Sequence, residues 1–239
     1  MNPQRFTKDT PMPAELITVL DVDTQDEALR IVDCCGRCAW FKIGSQLFTR
    51  CGPAAVKAVQ DRGKKVMLDL KYHDIPNTVA HAVRGAAALG AGLCTLHASG
   101  GRAMIEAARR ETEGTDTRLL AVTVLTSMDA ATLRGDIGLD ETPAQTVTRW
   151  AKLATEAGAH GIVCSPQEIG LVREAIGTDA LVVTPGIRPA WSATDDQARI
   201  MTPAQAALAG ATMIVVGRPI LKHPNPAEAV ELILEELAP

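Results

Sequence analysis

One rhythm constrains this chain more than any single residue. Short apolar runs recur at 16–20, 38–43, 65–68, 93–97, 119–124, 161–164, 181–184 and 213–216. They read as continuous apolar stretches rather than clean alternation, which suits parallel strands covered on both faces. Helical spacing fills the gaps, at 25–35, 53–62, 77–89, 101–111, 143–157, 166–176, 203–209 and 226–237. Thr142-Pro143, Ser165-Pro166 and Thr202-Pro203 each supply a capping side chain followed by proline at the first helical position. Gly63, Gly90, Gly158, Gly177 and Gly210 follow helical patterns as stop signals.

Eight strand–helix steps in 239 residues give about 30 residues per step, the size of one βαβ unit. The α/β architecture that uses eight such units is the closed (β/α)8 TIM barrel. A doubly wound open sheet would want a glycine-rich turn after its first strand. Leu20-Asp21-Val22-Asp23 stands there without a glycine. No linker, repeat or low-complexity stretch divides the chain, so residues 1–239 are expected to form one barrel domain, with 1–13 a polar N-terminal extension.

Composition removes several function classes. Lys and Arg number 24 against 28 Asp and Glu, a net charge of −4 that argues against a broad nucleic-acid footprint. No apolar run approaches the roughly 18 residues that span a bilayer. Residues 1–13 carry no apolar signal core, so a soluble, cytoplasmic protein without membrane or nucleic-acid partners is expected. Cys35-Gly-Arg-Cys38 forms a CxxC, but no second ligand pair follows for zinc, and the pair falls past a helix end rather than at a helix start. The six cysteines therefore read as small apolar residues in a reducing compartment.

In such a barrel, chemistry sits at the carboxyl ends of the strands. The first three ends carry Asp21, Lys42, Asp69, Lys71 and Asp74, alternating in sign. Charged side chains are seldom buried unless paired. Asp69 and Lys71 are two apart, so a persisting strand points both to one face. This is read as a catalytic charge cluster rather than a structural one. The seventh and eighth ends carry Gly186-Ile-Arg188 and Gly217-Arg218, where barrels often bind phosphate. Between them, 188–197 has neither strand nor helix period and is expected to be a lid. His97 is expected to be a hydrogen-bonded histidine of the barrel top, and His73 to pack or hydrogen-bond within its motif. No His, Asp or Glu set has metal-ligand spacing.

Asp69-Leu-Lys71-Tyr-His-Asp74-Ile-Pro-Asn-Thr78 resembles the DLKxHDIPNT signature of the orotidine 5′-phosphate decarboxylase family. Asp21 in LDVD, Lys42 in FKIG, Thr126-Ser127 in VLTS, Thr184-Pro185-Gly186-Ile187-Arg188-Pro189, Asp196-Gln197 and Val216-Gly217-Arg218-Pro219 match its other motifs in order. The match is close to the bacterial short form. It departs from it at Trp191, where a small residue is expected.

The resemblance implies a homodimeric barrel that converts orotidine 5′-monophosphate to UMP and carbon dioxide in pyrimidine biosynthesis, without a metal or organic cofactor. It implies that Lys71, Asp69, Asp74 and Lys42 form the catalytic set. By the same resemblance Asp21 and Lys42 bind the ribose hydroxyls, and Thr126 and Ser127 address the pyrimidine edge. Arg218, the Gly217 backbone and Gln197 hold the phosphate, with Arg188 and Pro185 in the same region. Asp74 and Thr78 reach the neighbouring subunit's site. Two alternatives stay open at this point: a metal-dependent decarboxylase or aldolase of keto-sugar phosphates from the same superfamily, and a non-catalytic nucleotide sensor.

Overall fold

Parallel strands cannot be joined by tight hairpins, so each must return through a crossover, usually a helix. The computed structural model, which describes residues 14–192 and 201–238, follows that rule around a full circle. The strands are β1 (Glu15–Val19), β2 (Trp40–Gly44), β3 (Lys65–Tyr72), β4 (Leu93–His97), β5 (Arg118–Val122), β6 (Gly161–Val163), β7 (Leu181–Thr184) and β8 (Met213–Val216). They close in sequence order, and β1 pairs in parallel with both β2 and β8.

The helices alternate with them: α1 (Gln25–Cys34), α2 (Ser45–Cys51), α3 (Pro53–Gln60), α4 (Pro76–Ala88), α5 (Gly101–Arg110), α6 (Ala130–Gly135), α7 (Pro143–Glu156), α8 (Ile169–Ile176), α9 (Pro203–Ala209), α10 (Arg218–Leu221) and α11 (Pro226–Leu237). Thr142 and Thr202 cap α7 and α9 as expected, each exchanging hydrogen bonds with a glutamine three residues on. Ser165-Pro166 instead opens a short 3-10 turn, Pro166–Glu168, before α8. The short helices α2, α6 and α10 were not expected; four to seven residues are too few to display a helical period. No helix of the described residues is long and apolar enough to cross a membrane.

The barrel core has two shells because side chains alternate along each strand. Ile17, Val19, Trp40, Met67, Leu93, Leu120, Val122, Val163, Val183, Met213 and Val215 fill the interior. Their alternates, such as Phe41, Ile43, Leu68, Cys94, Ile162 and Ile214, pack outward against the helices. Continuing the inward series toward the carboxyl ends reaches Asp21 after Val19, Lys42 after Trp40, Asp69 after Met67 and Thr95 after Leu93. The alternation that builds the core thus delivers charge to the mouth.

The CxxC pair is packed into the core, each cysteine 1% exposed. Cys35 caps the end of α1, and burial, reinforced by Cys38 and Cys34, pushes its thiol up to about 12. Burial also raises Cys38, whose sulfur lies 3.2 Å from the Thr18 hydroxyl. All six cysteines are free thiols.

Ring closure brings β6 and β7 so close at Gly161 that there is no room for a side chain. A Cβ on Gly161 of β6 would lie 2.3 Å from the Leu181 carbonyl oxygen and 2.5 Å from Leu181 Cβ on β7. Gly161→Ala should therefore strain the β6–β7 pairing and cost about 1–3 kcal/mol of unfolding free energy. Denaturant titration checks this, and a loss under about 0.5 kcal/mol would show that the two strands yield freely.

Candidate active site

A carboxylate is seldom buried without partners, and Asp69 is only 7% exposed. Its partners come from two directions. Lys71 Nζ donates to Asp69 Oδ2 at 2.8 Å, and Lys42 Nζ stands 3.4 Å from the same oxygen. Lys42 also donates to Asp21 Oδ1 at 3.1 Å. The order Asp21–Lys42–Asp69–Lys71 is a chain of alternating charges across the ends of β1, β2 and β3. Burial pushes the Asp69 carboxyl up, but the Lys42 and Lys71 charges, with hydrogen bonds from Lys71 and Thr95, carry it below its ordinary value.

Two residues that sequence reasoning passed over make this chain possible. Gly44 ends β2 in register with Asp69. A Cβ there would sit 2.8 Å from Lys42 Nζ and 3.1 Å from Asp21 Oδ1, so a side chain would displace the ion pair. Thr95 is fully buried on β4 and donates to Asp69 Oδ1 at 3.0 Å. Its signal was a polar residue at an inward position, between Leu93 and His97.

The expected alternation between Asp69 and Lys71 is only half the story. The strand does persist, to Tyr72, but its pairing with β4 slips. Leu68 lies opposite Cys94, then Tyr72 opposite Leu96, four residues of β3 against two of β4. Lys71 lies within this bulge at φ 51°, left-handed backbone that costs a non-glycine residue about 1–2 kcal/mol. Bulges re-aim side chains beside functional sites. This one brings the Lys71 ammonium back onto Asp69.

The charge chain lines a cavity of about 340 Å³ at the barrel mouth. Its apolar wall includes Val19, Met67, Val122, Val163 and Val215. Thr126 and Ser127 enter from the loop after β5. Pro185, Gly186 and Arg188 come from the end of β7, and Gly217 and Arg218 from the end of β8. In a ring of eight, β3 and β7 are four strands apart, so Lys71 and Arg188 approach from opposite sides. Arg188 is buried, with one donor on the Ile187 carbonyl at 2.9 Å. A ligand with an anionic group at the β7–β8 side and its reacting atoms near β3 matches this distribution.

Asp74 and Thr78 do not join this cavity. Both are exposed, and Asp74 Oδ1 accepts the Ile75 N–H at 2.6 Å. Gln197, with the second half of the expected lid, 193–197, lies outside the described residues, as does the extension 1–13. Trp191, where a small residue was expected, sets its ring edge-on to His223 with centroids 5.2 Å apart. His97 makes a ring contact with His73, centroids 5.6 Å apart, and among the described residues its ring has no hydrogen-bond partner. Burial, with His73 and Lys71 nearby, holds His97 below the usual imidazole range. Among the described residues no group of three or more His, Cys, Asp or Glu is arranged to hold a metal ion.

Residues 14–233 match the family model described as Orotidine 5′-phosphate decarboxylase / HUMPS family. The chain belongs to that family. A relative from Heliobacterium modesticaldum named orotidine 5′-phosphate decarboxylase is 49% identical over 231 residues, covering 93% of this chain and 95% of that one. Another of that name, from Pelobacter propionicus, is 53% identical over 205 residues, covering 84% and 85%. The family's barrel is also seen in a crystal structure of orotidine 5′-phosphate decarboxylase from Lactobacillus acidophilus. It is 38% identical with a TM-score of 0.85, covering 95% of this chain and all of that one. An uncharacterized conserved protein from Geobacillus kaustophilus is 34% identical, with a TM-score of 0.82 over 93% of this chain and all of that one.

The Asp69 electrostatics set a pH dependence. Its carboxyl is lowered in the fold from 3.8, so its stabilising contribution is complete above that pH. The contribution is lost as pH falls from 3.8 through the lowered value. The stability gap between wild type and Asp69→Asn should therefore stay constant above pH 3.8 and shrink below it. Unfolding titrations across that range check the sign, and a gap that widens in acid would reverse it.

Proposed function

We propose that this protein decarboxylates orotidine 5′-monophosphate to UMP and carbon dioxide in pyrimidine biosynthesis. The observation that carries the reading is the Asp69–Lys71 pair, an ammonium 2.8 Å from a buried carboxylate at the mouth of the barrel. The decarboxylase name of relatives at about half identity supports this branch of the family over its others.

The reaction explains why such a pair is needed. Breaking the bond from C6 to its carboxylate leaves the electron pair on C6 as carbon dioxide departs. No adjacent group takes up that charge. A fixed ammonium does two tasks here: it stabilises the developing carbanion, then gives C6 its proton. Lys71 is that ammonium, and it recovers its proton from solvent. Asp69 stands beside the departing carboxylate, and Lys42 bridges Asp69 and Asp21 so that neither carboxylate is left alone.

The remaining assignments follow the chemistry of the substrate. Asp21 and Lys42 take the ribose hydroxyls, and Thr126 and Ser127 the pyrimidine edge. Arg218 and the Gly217 backbone take the phosphate, with Gln197, and with Arg188 and Pro185 beside them. Phosphate contacts remote from C6 supply binding energy that is used in lowering the barrier. The protein acts as a cytoplasmic homodimer in which Asp74 and Thr78 serve the neighbouring site. Their exposure outside their own cavity, next to an Ile75 that is 67% exposed, supports that role.

A keto-sugar phosphate reaction through a metal-stabilised enediolate needs carboxylates free to bind the metal. Here Asp21 and Asp69 are engaged by lysines. Loss of orotidine 5′-monophosphate absorbance in the presence of EDTA tests the choice. Wild type should turn over fully, while Lys71→Ala should lose at least about a thousandfold in kcat. Activity that vanishes with EDTA and returns with Mg²⁺ would favour the sugar-phosphate reaction. A Lys71→Ala enzyme within about tenfold of wild type would remove Lys71 from the chemistry.

Shared sites have their own signature. Homodimers of Lys71→Ala and of Asp74→Ala should each be nearly inactive. A mixed dimer then has one site with both defects and one with neither. Equal mixing with random reassortment makes half the dimers mixed, restoring about a quarter of wild-type activity. No recovery under conditions shown to exchange subunits would mean that each barrel supplies its own Asp74.

A further inference from the structure

We propose that the Thr95 hydroxyl is a positioning residue for this reaction, locking the Asp69 carboxylate to the displaced backbone of Lys71. Thr95 does not line the cavity and is 0% exposed, so it acts through its neighbours rather than on a substrate. Its Oγ1 accepts the Lys71 backbone N–H at 3.0 Å and donates to Asp69 Oδ1 at 3.0 Å. An N–H only donates and an ionised carboxylate only accepts, so the direction of both bonds is set. The hydroxyl has one hydrogen and free lone pairs, and meets both demands at once.

The bulge gives this contact its importance. Where the β3–β4 ladder slips, the Lys71 N–H takes a side-chain partner on β4. Lys71 is also the one non-glycine residue with positive φ among the described residues. Thr95 therefore holds an unfavourable backbone conformation in place from the next strand. Lys71 is tied to Asp69 twice, through its main chain by way of Thr95 Oγ1 to Oδ1, and through its ammonium to Oδ2. The ring closed by these bonds orients both members of the pair. A threonine serving only to fill the core would be replaced by valine without consequence, since the two share nearly one shape.

The kinetic arm of the test rests on the decarboxylase reading; the structural arm does not. Thr95→Val, Thr95→Ser and wild type are compared for kcat and KM on orotidine 5′-monophosphate, and for affinity for UMP. Thr95→Val should lose kcat by a factor on the order of 100, because the reacting pair is misplaced. KM and UMP affinity should stay within about threefold, and Thr95→Ser should restore kcat to within about tenfold of wild type. The acid limb of kcat/KM should also move to higher pH in Thr95→Val, as Asp69 loses a hydrogen bond that favours its ionised form. Thr95→Ala carries the same expectation should the valine variant not fold. In a crystal structure of the folded variant, Lys71 Nζ should leave hydrogen-bond distance of Asp69.

A kcat loss under about tenfold, a parallel fall in UMP affinity, a serine variant as impaired as the valine one, or an unmoved acid limb would each overturn the assignment. So would a variant crystal structure that keeps the contact of 2.8 Å. A wild type inactive on orotidine 5′-monophosphate would overturn the decarboxylase reading alone, and the crystal structure would then decide the role of Thr95.

Discussion

Asp69 is a carboxylate withdrawn from water, and the rest of the mouth is arranged around that constraint. An isolated buried carboxylate would neutralise itself by taking up a proton. Two ammonium groups and a hydroxyl prevent this here, so the carboxylate stays ionised and the lysines stay placed. Each member is tolerable only because the others are present. Such a cluster contributes little as a stabiliser of the fold, since desolvating the charges offsets much of their attraction. Under the proposed reaction its value is to hold charge in position before a substrate arrives, so that no reorganisation is needed as the reaction proceeds.

The closed ring makes that arrangement possible. Lys42 and Asp69 sit on β2 and β3 and Asp21 two residues past the end of β1, three consecutive strands hydrogen-bonded to one another, which fixes their spacing. The arginines of the β7 and β8 ends lie across the cavity, with apolar side chains between the two charged regions. A nucleotide monophosphate has the same layout, with phosphate at one end, base at the other and hydroxyls between. Under the proposed reaction this separation would keep the phosphate contacts away from the reacting carbon, where a strong positive charge of their own would compete with Lys71.

Much of this is legible in the linear chain because it depends on local order. Apolar runs and helix caps mark the strand–helix alternation, and the count of eight leads to a closed barrel. Period two along a strand puts Lys42 inside with Trp40, and Asp69 inside with Met67. Glycine and arginine after the last two strands mark the cationic side of the mouth. Short helices such as α2 and α6 escaped notice because one or two turns carry too little periodic signal. The contact of Trp191 with His223 escaped notice because it joins two loops far apart in sequence.

What the sequence determined by itself was therefore the set of chemical groups and the strand end from which each projects. What only the tertiary structure decided was how those groups meet. A threonine at position 95 shows only as a polar residue at an inward strand position, with nothing to name its partners, and a glycine at 44 looks like any strand terminus. Their roles exist only because β3 slips against β4 and because Lys42 crosses the space where a side chain on residue 44 would stand. Register and close approach are properties of neighbouring strands, set when the ring closes and all eight pack at once. No window of consecutive residues contains both partners, so the left-handed Lys71 and the hydroxyl that holds it become visible only in the folded barrel.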